Sequence, residues 1–380
     1  MRQNSYHNLR KALVTKGVFQ IQTTYGVLTL LIEVLIFTSV FFWLLQVPNF
    51  SWTYWLCEIL LGLSAFRLFI ILHECGHHTL FKQPWLNTIV GYLVSPLCYH
   101  PYECWRQVHT QHHQWAGIVD KDPTAVDSAT LKQSSVLYRL LWAAWRIWFP
   151  LGMLHHVVTV YWLYPIRKLR QGEIALGWWG LFSVAIAALP HIVAVIDWGI
   201  TDYLLRVTPM FLMTLMWNEA ITIPLHAGLY PLNSQTHPTP LPYAAHDTVT
   251  RNTELPTILG VVLSYNFNLH VEHHLFPYAP WYRLPQIKHA LQNLEHPYNP
   301  GVSFPHFMSA ARNHEPALLF ENNPILAKRV GECLNILQRF NGTGTRHCLP
   351  IIGTVVNTCG SFMEVLRCLH GSSDRCDGKE

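Results

Sequence analysis

The sequence predicts an all-helical (all-α) integral membrane protein with about four transmembrane helices arranged as two hairpins. Three observations predict it. Charged residues make up only 13% of the 380-residue chain and hydrophobic residues 50%, whereas soluble domains carry about 25% charged residues. Four apolar stretches have the length that a hydrocarbon core of about 30 Å demands at about 1.5 Å of helix rise per residue. Lys and Arg are missing from the two short turns that would join those stretches in pairs.

Residues 1–25 are polar, with Arg2, Arg10, Lys11 and Lys16 and no acidic residue. The first span, 26–47, is apolar except for Glu33 and a few small polar groups. It is too long for the apolar part of a signal peptide, and no small-residue cleavage pattern follows it. A turn at Pro48-Asn49-Phe50-Ser51 leads to the second span, 52–72, which holds Glu58 and Arg67. The apolar stretch 86–99 is too short to cross and predicts a re-entrant, interfacial or bundle-packed segment. Residues 137–164 are rich in Trp and Leu but carry Arg139, Arg146, His155 and His156. They predict an amphipathic helix at the interface. The third span is 174–196, the turn 197–202 is acidic, and the fourth span, 203–225, contains Asn218 and Glu219. The positive-inside rule then puts the N-terminus, the segment between the hairpins and the C-terminal part on the cytosolic side.

Nine Cys, an odd number without a C-x-x-C pair, predict free thiols rather than a disulfide framework or zinc ribbon. The net charge of +4 does not suggest nucleic acid as a partner; membrane lipids are the partners that the spans imply.

The 23 His nearly equal the 26 Lys plus Arg, and nine of them cluster. "HECGHH" holds His73, His77 and His78, "HTQHH" holds His109, His112 and His113, and "HVEHH" holds His270, His273 and His274. All three fall on the predicted cytosolic side. On a helix, positions i, i+3 and i+4 share one face, so each H-x-x-H-H points its imidazoles the same way. His77 and His78 lie about 100° apart on a helix, and which of them binds metal stays open. "HECGH" also satisfies H-E-x-x-H, the zinc-protease pattern in which Glu74 would be the general base. A zinc site takes about four ligands, far fewer than eight or nine imidazoles. Imidazole also suits iron and copper, and two iron ions with positions left for dioxygen would use the set.

"HECGHH", "HTQHH" and "HVEHH" resemble the three histidine boxes of the membrane fatty acid desaturase superfamily, which includes hydroxylases and carotenoid oxygenases. "DKDPT" (120–124) and "HHLFPYAPWYRLP" (273–285) resemble further family segments, and the similarity covers about residues 50–295. The resemblance implies a four-span fold with a cytosolic helical cap holding a di-iron site. It divides the chain into a cytosolic segment 1–25, a membrane desaturase domain 26–320 and a C-terminal extension 321–380 of no assigned role. A further His completes the metal shell in that superfamily, and His226 in "PLHAGL" is the candidate here.

The implied reaction is O2-dependent desaturation of an acyl chain, with dioxygen as co-substrate. In that setting Glu74, Asp120, Asp122 and Glu272 are candidates for carboxylates that orient imidazoles. Asn218 and Glu219 are costly inside a membrane and should face the protein interior. Trp105, Trp115, Trp281 and Tyr282 flank the boxes, as tunnel-mouth or interfacial residues. The His-Pro pairs do not continue into the Gly-Gly of a fused cytochrome b5 haem site, and no G-x-G-x-x-G occurs. A separate electron donor, ferredoxin or cytochrome b5, is therefore implied, with "RKLR" (167–170) a candidate docking patch. Three alternatives remain: a hydroxylase or ketolase acting on a fatty acid, alkane or carotenoid, a membrane zinc protease using His73, Glu74 and His77, and a metal transporter.

Overall fold

Apolar runs of this length fold as helices because every backbone polar group is then satisfied within the segment. The computed structural model describes residues 1, 3–125, 135–230, 232–294 and 301–312, all within the unit Met1–Gly331. The predicted extension 321–380 lies outside the described residues. The helices in chain order are α1 (Gln3–Thr15), α2 (Thr23–Leu44), α3 (Trp52–Gly76), α4 (Pro84–Cys98) and α5 (Tyr102–Trp115). There follow α6 (Ser135–Arg146), α7 (Leu151–His156), a π-helical turn Val157–Trp162, α8 (Tyr164–Arg170), α9 (Ile174–Trp198) and α10 (Ile200–His226). The last are α11 (Thr257–Ser264), α12 (His270–Leu275), α13 (Leu284–Gln292) and α14 (Phe304–Arg312). Among the described residues the only strand pair is parallel, Thr253–Glu254 beside Val302–Ser303.

Three of the described helices, α2, α3 and α9, are long and apolar enough to cross a membrane. The fourth predicted span falls within α10, whose Asp202, Arg206, Asn218 and Glu219 dilute its apolar character. The central helix is α3, packed against α2, α4 and α10. Gly62 lets α3 and α10 approach, because a Cβ there would stand 2.3 Å from the Cβ of Met213. Glu33 of α2 and Arg67 of α3 are neutralised as a pair at 2.9 Å. Ser64 and Tyr265 donate hydroxyl hydrogen bonds to the same carboxylate, at 2.6 and 2.7 Å. Buried charges inside a membrane protein persist when paired in this way.

One expectation needs correction. The stretch 137–164 is not one amphipathic helix. Trp148 adopts a left-handed φ of 62° and Pro150 lacks the N–H to continue a helix, so the chain breaks into α6, α7 and the π turn. Within the polar segment 1–25, Tyr6, Leu9 and Leu13 recur at i, i+3 and i+7 and form the buried face of α1. They join Leu275, Phe276, Leu284 and Ile287 in a second core under the third histidine box. The Tyr6 hydroxyl donates to the Leu275 carbonyl at 2.9 Å, and its ring stacks on Phe276 at 5.1 Å. Tyr6→Phe keeps the stack and removes the bond, so it should cost about 1 kcal/mol. The check is the denaturant midpoint of the detergent-solubilised protein.

Candidate metal centre

Four helix segments deliver nine imidazoles. α3 brings His73, with His77 at its C-terminal cap. α5 brings His109, His112 and His113, the end of α10 brings His226, and α12 brings His270, His273 and His274. Gly76 in the first box is required by packing, since a Cβ there would meet the Trp105 ring at 2.6 Å. That ring is buried and stacks on His109 at 4.4 Å.

The imidazoles divide into two groups, His73, His77, His109, His113 and His273 in one, and His112, His226, His270 and His274 in the other. Within each group the ligand atoms lie within 4.8 Å of one another. The division follows the box arithmetic. In the second box the i and i+4 rings enter the first group and the i+3 ring the second; in the third box the assignment is reversed. His226 joins the second group, its Nε2 lying 3.2 Å from that of His112 and 2.8 Å from that of His270. His78 joins neither. The helix has ended, and a left-handed φ of 57° at His78 turns its side chain off the shared face.

The donors fit metal ions better than they fit one another. His112 Nδ1 lies 2.8 Å from Asp122 Oδ2, and His226 Nδ1 lies 3.1 Å from the Val249 carbonyl. Those acceptors place the ring protons on Nδ1. Neutral rings then turn bare Nε2 lone pairs toward each other at 3.2 Å, a repulsion that a cation between them removes. The first group shows similar Nε2 separations, 3.1 Å for His73–His273, 2.9 Å for His77–His109 and 3.0 Å for His113–His273. Nitrogens about 2.1 Å from one ion stand about 3 Å apart when their bonds meet at right angles.

Of the four carboxylates expected to orient imidazoles, Asp122 bonds a box His. Glu74 approaches His73 Nδ1 only to 3.5 Å. Its Oε2 instead accepts from Thr79 Oγ1 at 2.7 Å and from the Trp281 backbone N–H at 3.0 Å. Glu272 accepts from Asn252 Nδ2 at 2.7 Å, and burial pushes its carboxyl up to about 7. Asp120 accepts from the Ser234 backbone at 2.7 Å. Of "RKLR", Arg167 is spent on the Thr159 and Val160 carbonyls and Lys168 pairs with Glu173.

A cavity of about 210 Å³ opens beneath the two groups. Phe69, Trp105, Leu141, Trp145, Met153 and Phe267 supply much of its apolar wall. Asn218 and Glu219 face the protein interior and line it, and Arg312 pairs with Glu219 at 2.6 Å. His155 and His156, expected at the membrane interface, line it too, as does His100. His246, to which the sequence assigned no role, is buried with its Nδ1 3.4 Å from that of His274. No spacing rule links it to a box; the strand Thr253–Glu254 and α11 lie between them in the chain.

Burial, and then mutual repulsion, hold His109, His113, His270, His273 and His274 well below the ordinary imidazole range. Burial likewise lowers His100 and His246 to about 4. The neutral ring is thus the favoured form in the folded chain. Its stabilising contribution is complete above the unfolded value of about 6.5 and is lost as pH falls through the folded value. Metal-stripped protein should therefore lose stability as pH falls below about 6.5, by up to about 1.4 kcal/mol per unit for each group, with the share of His100 and His246 lost by about pH 4. Unfolding midpoints measured across that window check this, and a flat profile would contradict it.

The fatty acid desaturase family profile matches residues 49–306, more than half of the chain and all nine grouped imidazoles. The chain belongs to the fatty acid desaturase family. It is similar to the sn-1 oleoyl-lipid 12-desaturase of a Synechocystis strain, 25% identical over 231 residues, covering 59% of this chain and 64% of that one. It is similar also to the acyl-lipid omega-3 desaturase (cytochrome b5) of the Arabidopsis thaliana endoplasmic reticulum, 26% identical over 271 residues, 64% of each chain. A third relative is the sn-1 acyl-lipid omega-3 desaturase (ferredoxin) of a Nostoc strain, 38% identical over 69 residues, 18% of each chain. Against the first two this family member spans just under two thirds of their length.

Proposed function

We propose that the chain is an O2-dependent di-iron desaturase that introduces a C=C bond into the acyl chain of a lipid. The observation that carries this is two groups of converging imidazoles above an apolar cavity. The first five rings would hold one iron, and His112, His226, His270 and His274 the other. Bound iron would supply the redox chemistry with dioxygen that acid–base groups cannot perform on an unactivated methylene. Asp122 keeps the proton of His112 on Nδ1, and the Val249 carbonyl does the same for His226, so both Nε2 atoms stay free to ligate. Trp105 and Phe267 pack on imidazoles of the first group and exclude water. Loss of two hydrogens from the acyl chain supplies two of the four electrons that take O2 to two waters. The other two, with two protons, require a separate donor, and the names of two relatives favour ferredoxin or cytochrome b5.

In this reading α10 completes two hairpins, with the N-terminus and all three boxes on the cytosolic side and 26–320 forming the desaturase domain. The zinc-protease alternative is disfavoured because Glu74 is engaged by Thr79 and Trp281. The test is mass spectrometry of the lipids of a host expressing the chain with ferredoxin and its reductase, and separately with cytochrome b5 and its reductase. An acyl species lacking two hydrogens is expected. A species gaining oxygen would assign a hydroxylase or ketolase. One zinc and no iron per chain would sink the di-iron centre.

A further inference from the structure

The cavity beneath the imidazoles meets the outside at α7. Of the residues described along its wall, Gly152 alone is exposed, and Met153, His155 and His156 beside it are half-buried. Phe69, Trp105, Tyr161 and Phe267 of the same wall are buried. A position that both lines a cavity and is exposed lies at its mouth.

Packing does not demand a glycine there. A Cβ on Gly152 would find only Glu219 Oε2, at 4.0 Å, whereas one on Gly62 or Gly76 would collide with a neighbour. Within a helix, glycine costs about 1 kcal/mol relative to alanine. What Gly152 provides in return is the absence of a side chain in the opening. The frame beside it is held in place. The Arg312 guanidinium lies 3.7 Å from the Trp145 ring and 4.2 Å from the Trp148 ring. It also pairs with Glu219 at 2.6 Å, which neutralises the one carboxylate next to the opening on α10.

The surroundings of the mouth are apolar. Ile147, Trp148 and Phe149 precede α7 and Val158, Leu163 and Ile166 follow it, all of them exposed. Exposed apolar surface gathered around an opening marks a contact with membrane or partner rather than with water. Arg146, exposed at the end of α6, and Trp148 supply the cation and the indole that settle at the headgroup level of a bilayer. α8 then ends at Arg170, and α9, long and apolar enough to cross a membrane, begins at Ile174.

We propose that Gly152 is the doorway of the cavity and that it opens sideways into the bilayer, so that the acyl chain enters from a membrane lipid without passing through water. The proposal rests on the acyl-chain reading above and deepens it: the substrate is a chain still esterified in a bilayer lipid, not one delivered by a soluble carrier. The apolar lip passes the hydrocarbon, and Arg146 stands where a lipid phosphate stays outside.

The test uses the iron-loaded full chain in lipid nanodiscs, without an electron donor. Exchange of a phosphatidylcholine bearing a parinaroyl chain is followed by energy transfer from Trp. Gly152→Phe should slow entry and exit alike by about tenfold, the scale on which an extra ring obstructs a fitted passage, and leave affinity within about twofold. Gly152→Ala should exchange at the wild-type rate. Weaker binding at unchanged entry rate in Gly152→Phe would put residue 152 in the wall and overturn the doorway. A second measurement covers a Gly152→Phe chain that fails to fold. Gly152→Cys carries a nitroxide, with the five Cys of 333–376 changed to Ser; Cys57, Cys75, Cys98 and Cys104 are buried. The nitroxide should collide with dissolved O2 far more than with a water-soluble nickel chelate. The reverse order would turn the mouth to water and overturn the lateral entry. Neither measurement needs turnover, so a lipid-facing doorway and gated exchange without product would sink the desaturase and leave the doorway standing. A wild type that binds no acyl chain would sink both.

Discussion

Replacing His273 with Ala should reduce turnover by roughly 10^4-fold, the scale on which one member of an interdependent catalytic set acts. It should also lower iron from two ions to about one per chain. His273 is buried, and its Nε2 lies 3.1 Å from that of His73 and 3.0 Å from that of His113. It is the one ring of the first group that comes from the third box, so its loss opens that group on the side of α12. The second group keeps all four of its rings and should keep its ion. His78→Ala is the matched control. Its ring belongs to neither group, so iron content and turnover should stay within about twofold of wild type. Iron per chain and product formation, measured on both variants, decide the matter. Loss of iron in His78→Ala with none in His273→Ala would reverse the ligand assignment.

The contrast between those two residues shows where sequence patterning ends. H-x-x-H-H put three rings on one helical face, and α5 and α12 do carry them there. The pattern held no information on how a face is shared between two groups, because that depends on how α3, α5, α10 and α12 meet. The choice between His77 and His78 turned on where a helix ends, and helix ends are set by tertiary packing, here that of Gly76 against Trp105. The long apolar helices were legible because length and hydropathy are local properties. α1 was missed because only three apolar residues mark its buried face, and the second core they enter is assembled with residues some 270 positions later. His100, His155 and His156 reach the cavity through a left-handed Tyr99 and a chain broken at Trp148 and Pro150. None of these features leaves a periodic trace.

Asp122→Asn tests the remaining claim, that a carboxylate without any direct role in ligation controls the second group. Asp122 is fully buried and its Oδ2 lies 2.8 Å from His112 Nδ1. Its Oδ1 accepts from the Thr124 backbone N–H at 2.9 Å and the Thr124 hydroxyl at 2.7 Å. With both Thr124 donors holding the amide oxygen in that place, Asn would turn its NH2 toward His112. Nδ1 must then accept, the ring proton moves to Nε2, and the nitrogen facing His226 can no longer ligate. A change that alters almost no volume should thus cost 10- to 100-fold in iron affinity, the range seen for partners of ligating imidazoles. The loss should fall on one ion of two, with the first group unaffected. Asp120→Asn, two residues away in the same "DKDPT" segment, changes an exposed side chain bonded to Ser234 and should change affinity by less than about twofold. Iron titration of the two variants separates a tautomer effect from a general disturbance of the segment. Equal losses in both would assign the effect to the loop, and no loss in Asp122→Asn would remove the carboxylate from the metal centre.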